Sequence, residues 1–109
     1  MTAQQINFVK NSLQAAVSAG ASFNMNPTMI LAQAAFESGW GMSKLATGSN
    51  NYFGLTAYGC SNQYWHGGKT TVNTGSYSLD FRRYDTRENS FLDFARLIRN
   101  NYRTAWQAS

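Results

Sequence analysis

The chain has 109 residues, of which 43% are hydrophobic and 13% are charged. This balance is typical of a globular domain and excludes an intrinsically disordered chain. The formal net charge of +4 favours an acidic partner, such as nucleic acid, anionic lipid or a carboxylate-bearing cell wall. The nine Lys and Arg residues nowhere form a long run, so a dedicated nucleic-acid arm is not expected.

Cysteine and histidine are too scarce for several kinds of site. Cys60 is the only cysteine, so no disulfide can form within the chain, and an inert loop thiol is expected there. His66 is the only histidine, and one Cys with one His cannot supply the usual ligands of a zinc site. We therefore predict no metal and no cofactor, and we interpret His66 as a polar loop residue.

The first predicted element is an amphipathic helix over residues 2–19, with Gly20 as its C-terminal stop. Its apolar residues recur at helical spacing, at Ile6, Val9, Leu13, Ala16 and Val17.

A second helix follows a short polar link. Asn26 can cap it, and Pro27 then occupies the first helical position, where the missing N–H costs nothing. Gly39 and Gly41, which flank Trp40, end it. Its apolar stripe consists of Ile30, Leu31, Ala34 and Ala35. A short helical turn is predicted next, at residues 43–46.

Helical periodicity disappears between residues 50 and 83, where Gly, Asn, Thr, Ser and Tyr dominate. Strands are predicted at residues 52–57, 70–73 and 77–83, separated by glycine turns. The order of elements therefore predicts an α+β fold that is mainly helical with a small, irregular antiparallel β lobe, in a single domain over residues 1–109.

The last predicted element is a helix from about Ser90 to Tyr102. Ser90 and Asp93 match a capping box, and Asp85 and Glu88 are expected to act at the same helix start. The predicted apolar face consists of Phe91, Phe94, Ala95, Ile98 and Tyr102.

Glu37 is the most informative residue. It lies three residues after Ala34 and seven after Ile30, so it is expected on the apolar face of the second helix. Partial desolvation and the negative end of the helix dipole would both favour the neutral acid, which a glycosidase uses to protonate its leaving oxygen. Spacing alone fits a solvated glutamate at a fraying helix end equally well. Gly39 and Gly41 favour the first interpretation, because they let the chain turn away and leave the carboxyl group facing a cleft.

Motifs in several parts of the chain carry a resemblance to a known family. The stretch ILAQAAFESGWG at residues 30–41 resembles the catalytic helix of glycoside hydrolase family 73, whose members are peptidoglycan β-N-acetylglucosaminidases with a lysozyme-like fold. The later segments SKLA and NNYFGL, Trp65 with Gly67 or Gly68, and FRRY before Ser90 resemble further family motifs in the same order. The resemblance extends over residues 26–106. It implies a lysozyme-like fold, peptidoglycan hydrolysis and Glu37 as the catalytic acid.

The chain departs from the family pattern in the β lobe. Many members place a second carboxylate in the segment that resembles residues 72–77, where this chain has Ser76. Asp80 is the only carboxylate of the lobe and is the candidate second catalytic group, although an exposed strand residue is the more ordinary interpretation. Alternatively, the 2-acetamido oxygen of the substrate itself attacks the anomeric carbon.

Four residues at motif positions are candidates for the sugar groove: Asn51, Tyr52, Trp65 and Tyr84. The three rings each carry a polar handle, and the Asn51 amide is suited to an acetamido group, although it also suits ordinary turn chemistry. Phe53 is expected in the core, and Trp40 is expected to pack under the catalytic helix.

The favoured function is thus a peptidoglycan glycoside hydrolase, either an N-acetylglucosaminidase or a muramidase. The alternatives are a catalytically impaired peptidoglycan-binding module of the same fold and a basic nucleic-acid binder, which the spread of charge disfavours.

Delivery is a separate expectation. Residues 1–10 lack a Sec signal pattern, and no segment is apolar enough to span a membrane. We therefore expect a monomer that is made in the cytoplasm, inserts into no membrane and acts in the periplasm or on the cell wall after specialised export. A phage lysin, a flagellar export substrate and an injected toxin all fit. The toxin is preferred because the chain resembles a minimal catalytic domain, and it implies an acidic immunity or inhibitor protein over the cleft at Glu37.

Overall fold

The computed structural model describes residues 1–101, and it confirms an α+β fold that is mainly helical with a small antiparallel sheet. Its elements in chain order are α1 (Ala3–Phe23), α2 (Pro27–Ser38), α3 (Lys44–Ser49), β1 (Lys69–Asn73), β2 (Ser78–Arg82) and α4 (Arg87–Asn101). Tyr102, predicted at the end of the last helix, lies outside the described residues.

Helix α1 starts where the sequence predicts and ends later. Thr2 and Gln5 form a capping box at its start. The predicted stop at Gly20 is wrong, because the helix continues to Phe23 and is closed by Asn24 in the left-handed conformation. Gly20 is needed for a different reason: a Cβ atom there would lie 2.6 Å from the carbonyl oxygen of Met25, so only glycine lets the next turn approach.

The predicted apolar face of α1 is confirmed for Val9 and Ala16, which pack in or against the core, and is wrong for the other three residues. Ile6, Leu13 and Val17 are 43%, 51% and 46% exposed. The buried face consists of Phe8 and five small residues, Ser12, Ala15, Ala16, Ala19 and Gly20. Small side chains let α2 and α4 approach α1 closely. The face of α1 that is buried is therefore the one that permits close helix packing, and not the one with the largest apolar side chains.

The second and third helices match their sequence signals. Asn26 accepts a hydrogen bond from the backbone N–H of Thr28 at 2.8 Å, and Pro27 occupies the first position of α2. The α2 stripe faces the core, with Leu31 partly buried and Ile30, Ala34 and Ala35 buried. The turn predicted at residues 43–46 is α3, which Ser43 caps.

Strands β1 and β2 form the predicted hairpin, with Thr71 opposite Asp80 and Thr70 opposite Phe81. The strand predicted at residues 52–57 is wrong. This segment is irregular and makes only an isolated bridge, between Thr56 and Phe81. Gly54 adopts a φ of 65° there, which interrupts an extended path.

Helix α4 begins at Arg87, three residues before the predicted start. Its first turn is capped by Thr86, whose hydroxyl accepts from the backbone N–H of Asn89 at 3.1 Å. The capping box of Ser90 and Asp93 is therefore wrong, and both residues lie inside the helix with 0% exposure. The predicted apolar face is confirmed, with Ile98 partly buried and Phe91, Phe94 and Ala95 buried.

Candidate active site

Glu37 lies in the last turn of α2 and is exposed to solvent. Its Oε1 accepts a hydrogen bond of 3.1 Å from the side chain of Gln33, one helical turn earlier. The predicted partial desolvation is wrong, because Glu37 lies on the same side of α2 as Ile30 but at the helix end, where its side chain is exposed. Any desolvation of this carboxyl group must therefore come from a bound substrate.

The chain turns away sharply after Glu37, as predicted. Gly39, Trp40 and Gly41 have successive φ values of 56°, 57° and 80°, all left-handed. The buried Ser38 hydroxyl fixes this turn, since it donates to the Ala34 carbonyl at 2.6 Å and accepts from the Gly41 N–H at 2.8 Å. The end of α2 that carries Glu37 is thereby held in one orientation.

Helix α1 buttresses the same turn. The ring of Trp40 meets the ring of Phe8 edge-on, with centroids 6.0 Å apart, so the predicted packing role of Trp40 is confirmed. A Cβ atom on Gly41 would lie 2.9 Å from the Phe8 ring. Position 41 thus requires glycine for both its conformation and its space.

An open groove of about 530 Å³ runs between the start of α3 and the β hairpin. It is lined by Ser43, Lys44, Leu45, Thr70, Thr71, Val72, Asn73 and Phe81. The backbone N–H of Ser43 donates to the Ser38 carbonyl at 3.0 Å, so the groove begins beside the helix end that carries Glu37. The Ser49 and Thr70 hydroxyls, 2.7 Å apart, join α3 to β1 and hold the two walls together.

Asp80 is exposed on β2, and its Oδ1 accepts a hydrogen bond of 2.6 Å from the Thr71 hydroxyl across the hairpin. Side chains alternate between the two faces of a strand, so Asp80 faces away from the side on which its neighbour Phe81 lines the groove. Asp80 is not among the residues that line the groove, but its hydrogen-bond partner Thr71 is. The catalytic role of Asp80 remains a prediction.

The four predicted sugar contacts, Asn51, Tyr52, Trp65 and Tyr84, are all buried, with exposures of 1–4%. The prediction that these residues stack on a sugar or hydrogen-bond to it is wrong in this structure, because protein covers their surfaces. They support the site from beneath instead. The Asn51 amide donates to the carbonyls of Leu55 and Arg82 and accepts from the Leu55 N–H, which ties the loop after α3 to β2.

A buried ionic network beneath the β lobe was missed by the sequence analysis. The Asp93 carboxylate accepts hydrogen bonds from Arg82 at 2.6 Å, from the Tyr84 hydroxyl at 2.5 Å and from Asn62 at 3.1 Å. Burial, together with the hydrogen bond to Asp93, raises the pKa of the Tyr84 hydroxyl well above its usual range. The Arg82 guanidinium also stacks on the ring of Trp65 at 4.2 Å. The only sequence signal was an aspartate between the core residues of α4.

Other sequence predictions are placed more simply. Phe53 is in the core, as predicted, and its ring stacks on Phe94 with centroids 4.0 Å apart. Cys60 is exposed. His66 is exposed and lies 2.7 Å from Asp85, so Asp85 pairs with the loop that precedes the hairpin.

Two kinds of feature are absent from residues 1–101. No group of three or more His, Cys, Asp or Glu side chains in this part of the chain is arranged to hold a metal ion. None of the described helices is both long and apolar enough to cross a membrane.

Comparison with known families gives one match over most of the chain. Residues 13–109 match the Glucosaminidase family model, described as mannosyl-glycoprotein endo-beta-N-acetylglucosaminidase. Peptidoglycan hydrolase FlgJ of Vibrio parahaemolyticus is 32% identical over 93% of this chain, and that of Vibrio cholerae is 33% identical over 89%. The chain spans only 36% and 31% of the lengths of these two relatives.

Solved structures agree with the sequence relatives. The glycoside hydrolase domain of Salmonella typhimurium FlgJ is 29% identical, with a TM-score of 0.77, over 93% of this chain and 64% of that one. The catalytic domain of the autolysin Auto from Listeria monocytogenes is 28% identical, with a TM-score of 0.71, over 92% and 59%. A type VI secretion system effector–immunity complex from Pseudomonas protegens contains the same fold, at 21% identity and a TM-score of 0.69, over 86% and 60%. The predicted lysozyme-like architecture is confirmed.

Proposed function

Because the chain belongs to the glucosaminidase family of glycoside hydrolases, we propose that it hydrolyses the glycan strand of bacterial peptidoglycan with Glu37 as its general acid. The observation that carries the proposal is the accessible Glu37 carboxyl group at the rigid end of α2, a helix end whose Ser38 carbonyl is bonded to Ser43 at the start of an open groove. The FlgJ relatives, which are named peptidoglycan hydrolases, support the choice of polymer.

The groove suits an extended sugar chain. It is open, and it combines the apolar side chains of Leu45, Val72 and Phe81 with hydroxyl groups on both walls and one amide group on the hairpin wall. Sugar rings present the same mixture of apolar faces and polar edges. A glycan in this groove passes the end of α2, where Glu37 can protonate the glycosidic oxygen of the bond being broken.

Besides an acid, the reaction needs a second group that stabilises the anomeric carbon. Asp80 does not itself line the groove and its carboxylate is bonded to Thr71, so we propose that the 2-acetamido oxygen of the substrate attacks the anomeric carbon as the bond to the leaving sugar breaks. The Glu37 carboxylate then accepts a proton from the water that opens the cyclic intermediate. Both sugars of the glycan strand carry this acetamido group, and the family description supports N-acetylglucosamine as the cleaved sugar.

Digestion of purified cell walls tests the function. We expect walls to lose turbidity, and mass spectrometry of the released muropeptides should show N-acetylglucosamine at the new reducing ends. New reducing ends on N-acetylmuramic acid would instead identify a muramidase. Walls that bind the protein without clearing would favour the alternative, a catalytically impaired binding module, and would contradict the proposal.

We further propose that the protein reaches the wall by specialised export and that an acidic inhibitor or immunity protein covers the groove. The net charge of +4 supports an inhibitor with an acidic surface. The fold that the chain shares with a secretion effector supports specialised export. The test is expression directed to the periplasm, with and without the product of the neighbouring gene. Harmless periplasmic expression, or a neighbour that gives no protection, would contradict this proposal and leave the hydrolase assignment intact.

A further inference from the structure

A second concave site lies on the N-terminal half of α1. It is a pocket of about 220 Å³, lined by Gln4, Asn7, Phe8, Asn11, Trp40, Gly41, Met42 and Arg87. None of these residues lines the groove beside Glu37, whose walls come from α3 and the hairpin. The pocket is therefore separate from the proposed catalytic groove.

One wall of the pocket is a row of carboxamides. Gln4, Asn7 and Asn11 recur at helical spacing along one side of α1, and all three are exposed. Within residues 1–101 none of the three side chains makes a hydrogen bond to protein, whereas Gln5 next to them is used in the helix cap. Each carboxamide offers both donors and an acceptor, which matches amide and hydroxyl groups of a ligand.

The opposite wall carries a cation that is already held in place. The Arg87 guanidinium donates from Nη1 to the Ser12 hydroxyl at 2.7 Å and lies over the ring of Tyr52 at 4.6 Å. It forms no ion pair with any carboxylate of the described chain, and its planar fork has further N–H groups to donate. A fixed, partly buried guanidinium without a counter-ion is suited to a carboxylate.

We propose that this pocket binds a muramyl-peptide unit of peptidoglycan as a second, non-catalytic contact with the wall. Arg87 takes the carboxylate of the peptide, and the carboxamides of Asn7 and Asn11 bind its amide groups or the acetamido group. The half-buried ring of Trp40 supplies an apolar surface at the base of the pocket. The choice of polymer rests on the proposed function, and the choice of a carboxylate-bearing, amide-rich ligand rests on the pocket itself.

A nitrogen-15 NMR titration with N-acetylmuramyl dipeptide tests the proposal, since this probe has no glycosidic bond to cleave. We expect the signals of the Trp40 indole and of the Asn7 and Asn11 side-chain amides to shift. The neutral disaccharide N,N′-diacetylchitobiose, which has acetamido groups but no carboxylate for Arg87, should bind at least about tenfold more weakly. Arg87→Gln should weaken binding of the dipeptide about tenfold, the usual effect of losing a hydrogen bond to a charged group. Arg83→Gln, an exposed arginine outside the pocket, should bind like the wild type.

Arg87 also contacts Ser12 and Tyr52, so a second variant separates binding from folding. Asn11→Leu changes only an exposed residue of the pocket wall. It should weaken binding of the dipeptide, while the backbone NMR spectrum of the free variant should match that of the wild type. Unmoved Trp40 signals, or wild-type affinity in both pocket variants, would overturn the proposal. Dipeptide binding by a protein that cannot clear walls would overturn the proposed hydrolysis alone and would support the pocket.

Discussion

Arg82 and Asp93 form a buried ion pair that joins β2 to α4, with Nη1 and Oδ2 2.6 Å apart and side chains that are 7% and 0% exposed. The Tyr84 hydroxyl donates to the same carboxylate oxygen, and Arg82 also donates to the carbonyls of Thr56 and Tyr58. The hairpin, which forms one wall of the groove, is thus fixed to α4 through this carboxylate, in addition to the Ser49–Thr70 contact that joins it to α3.

Replacement of that carboxylate should be costly. Asp93→Ala leaves the guanidinium of Arg82 and the hydroxyl of Tyr84 buried without their acceptor, and we expect it to lower the free energy of unfolding by about 3–5 kcal/mol. Urea unfolding measures the loss. The matched control is Asp85→Ala, an exposed carboxylate paired with His66, which should change stability by less than about 1 kcal/mol. Equal losses in the two variants would contradict the structural role given to the network.

The turn after Glu37 gives a prediction about glycine. Gly41→Ala must place a Cβ atom 2.9 Å from the Phe8 ring at a φ of 80°, so we expect a loss of stability of about 2 kcal/mol or more, together with reduced wall hydrolysis. Gly48→Ala is the matched control, because this residue lies inside α3 with nothing near its missing Cβ. It should stabilise the protein by about 0.5–1 kcal/mol. Thermal unfolding that shows no difference between the two variants would refute the argument.

Stability should also fall at alkaline pH. Burial raises the pKa of Tyr84 above its unfolded value of 10.0, so the folded chain keeps a proton that the unfolded chain loses above pH 10. The stabilisation is therefore complete below pH 10 and is lost as the pH rises above it, by about 1.4 kcal/mol per pH unit for this group. Tyr84→Phe should flatten the slope of stability against pH between pH 10 and 11. Tyr58→Phe, which alters an exposed tyrosine, should leave the slope unchanged.

The parts of the fold that could be predicted are those coded by neighbouring residues. Asn26 with Pro27 marks the start of α2, the alternation in β1 and β2 marks a hairpin, and the spacing of Phe91 and Phe94 marks the inner face of α4. The identity of the exposed carboxyl group at Glu37 came from a local motif in the same way.

The parts that could not be predicted depend on partners distant in the chain. The buried amide of Asn51 bonds to a carbonyl 31 residues away, and Asp93 bonds to Arg82 on another element, so neither role is visible in a local pattern. Aromatic side chains with polar handles serve equally well as sugar platforms or as buried supports, and only burial distinguishes the two for Tyr84. The prediction for α1 was partly wrong for a related reason. Close helix contacts bury small residues such as Ala16 and leave larger apolar ones such as Leu13 exposed.

The last prediction concerns the two carboxylates of the proposed reaction. Glu37→Gln keeps the hydrogen-bonding shape of the side chain but has no proton to give, so we expect a loss in the rate of wall hydrolysis of at least about a hundredfold without a change in thermal stability. Asp80→Asn should cost only a few fold, because the Asp80 carboxylate is bonded to Thr71 and is not among the groups that line the groove. If the acetamido oxygen of the substrate is the nucleophile, N-deacetylated walls should resist the wild-type enzyme. The inactive Glu37→Gln variant should bind N-deacetylated and untreated walls with similar affinity. A hundredfold loss in Asp80→Asn together with normal cleavage of deacetylated walls would contradict substrate assistance and identify Asp80 as the second catalytic group. Retention of wild-type activity in Glu37→Gln would contradict the assignment of the acid itself, since no other change at that position removes the proton so selectively.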